Sequence, residues 1–125
     1  MNGLLIFFGG GAGALLRHVV GLFVSHHVKS HTFPYHTLCV NLAGAFLIGA
    51  LAEFFALRTA WPEAVRFLLV TGFLGGFTTF SAFSLETALM LERGDYLPCA
   101  AYIAASVAGG IALVFAGTVA MRAAL

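Results

Sequence analysis

Four apolar stretches, each about twenty residues or longer, take up most of this 125-residue chain. A helix needs about 20 mostly apolar residues to cross a bilayer. The stretches run approximately over 4–24, 37–57, 65–91 and 97–121. They are continuous rather than alternating, which argues against the strands of a membrane barrel, the other spanning solution. Composition agrees: 9% of residues are charged, against about 25% in a soluble domain, so lipid must cover most of the surface. The expected fold is an all-α integral membrane protein of four transmembrane helices, forming a single domain over residues 1–125.

The linkers hold the polar punctuation: Ser25 to His36 with Pro34, Arg58 to Ala64 with Pro62, and Glu92 to Tyr96 ahead of Pro98. Tyr35, Trp61 and Tyr96 fall there, where interfacial aromatics belong. No basic run precedes the first apolar stretch, so a secretory signal is not expected. Cys39 and Cys99 form no CxxC and read as inert buried thiols. A net charge of +1 leaves no nucleic-acid footprint.

Four spans put both termini on one side. Arg58, Arg66 and Arg122 then share one side, and Arg17, Lys29 and Arg93 the other. Orientation follows the excess of Lys and Arg, and here there is none. Either a weak bias or the histidines fix one orientation, or the chain inserts both ways and pairs with an inverted copy of itself. Such a pair is the two-chain counterpart of an inverted repeat, which places substrate sites near the midplane on discontinuous helices.

The third stretch carries the densest signal, Gly72-Phe73-Leu74-Gly75-Gly76-Phe77-Thr78-Thr79-Phe80-Ser81-Ala82-Phe83-Ser84. Paired glycines followed by paired threonines are poor helix material. They predict a helix to about Gly75, a break over 75–79, and a second helix from about Phe80. Broken backbone at membrane depth survives only under protein or beside a water-filled cavity, and its freed carbonyls suit a cation. A kinked helix packed on its glycines is the plainer alternative. Phe80, Phe83 and Ser84 share one face, and aromatic edges carry partial positive charge. Ring edges could therefore hold an anion weakly enough to release it, as conduction requires. Ordinary packing is the competing reading for both rings.

Elsewhere, Thr37 and Asn41 share a face of the second stretch, and an Asn in a span must bond to something. It either joins helices or donates to a permeating ion. Tyr102, Ser106 and Gly110 form a stripe on the fourth. Gly9/Gly13 and Gly10/Ala14 on the first have the spacing that lets helices approach closely. Reading Gly9, Gly11 and Ala14 as a dinucleotide fingerprint fails, because no strand precedes them. The charges near the spans are few: Arg17, which either snorkels or lines a vestibule, Glu86, and Glu53, expected to reach headgroups. His26, His27, His31 and His36 crowd the first linker, with His27 and His31 at metal-ligand spacing if helical.

These residues resemble the CrcB/Fluc fluoride channel family over the whole chain. Gly10 to Arg17 is similar to its glycine-rich run ending in Arg, and Pro34 with Thr37 to Asn41 to its P-x-G-T-L-x-V-N signature. Gly72 to Ser84 is similar to its long G-F-x-G-G-x-T-T-F-S-T-F-S signature. The resemblance implies an antiparallel, dual-topology homodimer with two fluoride pathways, in the cell inner membrane or plasma membrane. Asn41, Phe80 and Phe83 match residues lining the pathway. Thr37, Thr79, Ser81, Ser84, Tyr102 and Ser106 match positions beside it, Glu86 a polar-track acid, and Arg17 the vestibule arginine. Gly75 and Thr78 match positions whose backbone carbonyls hold a structural sodium ion at the dimer centre. His36 stands where the family usually has Gly and gives the pathway mouth a titratable group; His18 follows the Arg where an aromatic is common, and Ala82 replaces a common Thr. The competing readings are a small multidrug-type proton-coupled exporter and a structural subunit of a membrane complex. The first span lacks the carboxylate the exporter needs, and a structural subunit has no use for a broken third helix. No nucleophile–base pair points to an enzyme.

Overall fold

The computed structural model describes residues 1–30 and 32–125. His31, and with it the proposed His27/His31 pair, lies outside the described residues. Among the described residues four helical segments are long and apolar enough to span a membrane: Asn2–His27, Tyr35–Leu57, Glu63–Glu92 and Tyr96–Ala124. The protein is a multi-pass membrane protein by this measure. The elements are α1 (Asn2–His27), α2 (Tyr35–Leu57), α3 (Glu63–Arg66), a π-helical segment (Phe67–Leu74), α4 (Gly75–Phe77), α5 (Phe80–Glu92) and α6 (Tyr96–Ala124).

Local chemistry sets the boundaries. Pro34 and Pro62 sit immediately before α2 and α3, where a missing N–H costs nothing. Pro98 falls in the first turn of α6, for the same reason. Gly94, at φ 80°, turns the chain between α5 and α6 in the left-handed region that Gly tolerates. Thr79 caps α5: its side chain accepts from the Ala82 amide at 3.2 Å. Tyr35 and Tyr96, placed in linkers by the sequence pattern, are the first residues of α2 and α6.

The third span departs from the expected course. The wide turns of a π-helix over Phe67–Leu74 were not signalled by the sequence. Helix persists through Gly75 and Gly76 to Phe77. Extended backbone follows at Thr78 (φ −88°, ψ 159°) and Thr79 (φ −152°, ψ 116°).

Two close pairings build the bundle. The first lays α1 on the π segment and α4, and the second lays α2 on α6. Both depend on absent side chains. A Cβ on Gly13 would strike the Phe73 carbonyl, and one on Gly76 the Gly10 backbone. Likewise a Cβ on Gly49 would meet the Val114 backbone, and one on Gly117 the Phe46 carbonyl. Small residues let membrane helices approach until their backbones touch, which yields dispersion energy where no hydrophobic effect is available. A small core of Met90, Cys99 and Tyr102, joined by Phe33, Leu38 and Phe83, ties α5 to α6. Cys39 is exposed on the single chain rather than buried; Cys99 is buried. Glu53 accepts from Arg122 Nε at 2.8 Å, joining the ends of α2 and α6.

Candidate functional site

The two extended residues at Thr78 and Thr79 leave backbone groups without helical partners, and side chains from neighbouring helices take them up. Asn41, on α2, accepts from the Thr79 amide with Oδ1 at 2.8 Å and donates from Nδ2 to the Thr79 carbonyl at 2.9 Å. Continued helix would have sent the Thr79 amide to the Gly75 carbonyl and the Ala82 amide to the Thr78 carbonyl. Those amides are committed to Asn41 and to the Thr79 hydroxyl instead. The Gly75 and Thr78 carbonyls are thereby released.

Both residues line a groove of about 640 Å³, together with Asn41, Thr79, Phe80, Phe83 and Ser106. Thr71 and Gly110 lie on the same surface. Phe80 is 78% exposed there, its ring centroid 5.7 Å from that of Phe83. The Asn41 amide has two N–H donors, and one remains after the Thr79 carbonyl is served.

A second cleft, of about 420 Å³, opens between α1, α2 and α5 and is lined by Arg17, His18, Ser25, His36, Thr37 and Glu86. Thr37 is buried at 3% exposure and donates to Glu86 Oε1 at 2.6 Å. The other Glu86 oxygen and Arg17 Nε are buried with no hydrogen-bond partner among the described residues. Arg17 lines the cleft. Thr79 borders both the cleft and the groove, so the two meet at the residue that Asn41 holds.

The remaining residues singled out from the sequence are dispersed around this junction. Ser81 is exposed, with its hydroxyl 3.4 Å from that of Thr79. Ser84 turns back on its own helix, donating to the Phe80 carbonyl at 3.0 Å. Tyr102 is fully buried between Phe33 and Phe83, and its hydroxyl, like the buried Ser106 hydroxyl on the groove wall, has no partner among the described residues. Two features escaped the sequence reading. Thr71 joins Gly75 and Thr78 on the groove. The α1 wall of the cleft is one stripe, Arg17, His18, Gly21 and Ser25, legible in the sequence once its charges are read as a face rather than singly.

A family model described as CrcB-like protein, Camphor Resistance (CrcB), matches residues 4–118. A protein of Rhodopseudomonas palustris named fluoride-specific ion channel FluC is 46% identical over 123 residues, which cover 98% of each chain. One of the same name from Granulibacter bethesdensis is 50% identical over 107 residues, 86% of this chain and 84% of its own. A third, from Rhizobium meliloti, is 47% identical over 124 residues and covers 98% of each chain. With the match running through all four spans, including the Asn41–Thr79 junction, this chain belongs to the CrcB family.

Proposed function

We propose that the protein is a fluoride-selective channel that lets cytoplasmic fluoride leave passively and so confers fluoride resistance. The observation that carries this reading is the junction at Thr79, where the Asn41 amide, the Thr79 hydroxyl and the exposed Phe80 ring meet between a cleft and a groove. Relatives named as fluoride-specific channels support it. Fluoride is small and strongly hydrated, so a path must replace its water with hydrogen-bond donors. Asn41, Thr79, Ser81 and Ser106 supply amide and hydroxyl donors without fixed charge, and the Phe80 and Phe83 edges add weak positive potential. Weak, repeated sites let the ion leave as readily as it binds. A negative-inside potential drives the anion outward by ~2.3 kcal/mol per 100 mV, so no pump is needed.

The working unit in this reading is an antiparallel homodimer. The groove exposes the spare N–H of Asn41, the Thr71 side chain and the loosened backbone of the third span. Lipid cannot satisfy such groups, whereas an inverted second copy covers them. The even charge score supports insertion in both orientations. The Gly75 and Thr78 carbonyls fit a sodium ion: they are hard oxygen donors, and the amides that would occupy them in a helix are spent elsewhere. A cation held by these two carbonyls would supply positive charge at that point. The work of holding the backbone open falls to Asn41 and Thr79.

Fluoride release from liposomes containing the purified protein, with chloride as the paired control, tests the proposal. Rapid voltage-driven fluoride release with little chloride release is the expected result; none from folded protein overturns it. Reporter fusions at the C-terminus test the topology, and a single orientation overturns the dual-topology part.

A further inference from the structure

A third, smaller cleft of about 210 Å³ adjoins the Arg17 cleft on the side away from Thr79, and Ser25, His36 and Glu86 line both. His36 is therefore part of the partition between the two. It lies in the first turn of α2 and is exposed, so bulk water reaches its ring. The charged and titratable groups facing it are few. From α1 come Arg17 and His18, from α5 comes Glu86, and beyond the end of α5 comes Arg93. Arg93 is already engaged, donating to Asp95 at 3.0 Å and to the Thr32 carbonyl at 3.1 Å. That leaves Arg17 against Glu86, a cleft with no formal net charge while both histidines are neutral.

We infer that His36 sets the anion supply to this path: its protonated ring makes the cleft net positive and draws fluoride toward Thr79, so conduction rises as pH falls. The inference rests on the channel reading above. Histidine is the side chain whose charge changes between about pH 5 and 8, and a positively charged cleft raises the local concentration of anions. One added unit charge acting through water at several ångströms amounts to about a threefold change in anion occupancy.

The test is fluoride current across planar bilayers containing the full-length protein, recorded at pH 7.5 and pH 5.5. Neutral HF carries no current, so its leak does not enter. The readout is the ratio of the two currents, which does not depend on how much protein inserts. The expected ratio is at least about three for the wild type, and His36→Asn and His36→Lys each lower it about threefold, leaving the part that His18 contributes. His36→Lys keeps the charge at both pH values, so it separates loss of titration from loss of charge. A wild-type ratio of one overturns the inference, as does an unchanged ratio in His36→Asn or a ratio lost in His18→Asn instead. No fluoride current from the wild type at either pH overturns the channel reading itself.

Discussion

The carboxamide of Asn41 pairs with both backbone polar groups of Thr79, Oδ1 accepting the amide at 2.8 Å and Nδ2 donating to the carbonyl at 2.9 Å. A side chain from α2 thus takes the place of the helical partners that the third span gives up. Whether Asn41 joins helices or serves an ion is not a choice between exclusives. Two of its bonding positions join helices, and one N–H is left over.

Asn41→Asp is expected to cut fluoride flux by at least tenfold. The carboxylate still accepts the Thr79 amide but cannot donate to the carbonyl, and it puts negative charge on an anion path. Liposome efflux measures the flux, and size-exclusion chromatography shows whether the dimer survives. Asn41→Leu leaves the Thr79 amide unsatisfied, at about 1–3 kcal/mol, and is expected to lower thermal stability in detergent as well.

Phe80→Ile is expected to lower flux while assembly persists. The ring is 78% exposed in the groove, so little packing within the chain is lost, while the aromatic edge is removed. Unchanged efflux would place the path elsewhere.

Thr37→Val removes the donor to Glu86 Oε1 while keeping the shape. A carboxylate with a second unpartnered oxygen costs about 1–3 kcal/mol. The expected outcome is a lower melting temperature with reduced flux, and recovery of both in Thr37→Ser, whose hydroxyl can make the same bond.

The glycines of the first span are expected to separate into two groups. Gly13→Ala drives a methyl into the Phe73 carbonyl and should cost more than about 2 kcal/mol, an overpacking in which backbone must move. Gly11→Ala meets nothing within 4 Å and should be neutral or slightly stabilising through helix propensity. Thermal unfolding of the two variants in detergent measures the difference.

Reading by spans found all four helices within a few residues of their ends, because lipid solvation demands long apolar runs and the sequence displays them directly. A break over 75–79 was expected from propensity, and the extended backbone is confined to the end of that range, at Thr78 and Thr79. Helix runs on through Gly76 because a bare backbone there lets α1 approach, so packing overrides the entropic cost of glycine. The bond from Glu53 to Arg122 joins residues 69 apart in sequence, and no local pattern announces it.

The sequence by itself determined the class of the protein and its polar inventory: membrane-spanning helices, an even charge count, and donors confined to a few positions. Those are properties of composition and short spacing, set by the solvent the chain must meet. Only the tertiary structure decided which donors meet. It brought Asn41 to Thr79 and Thr37 to Glu86, both across interhelical contacts of long sequence separation. Such pairs are fixed by how closely backbones approach, which depends on glycines on one helix facing carbonyls on another.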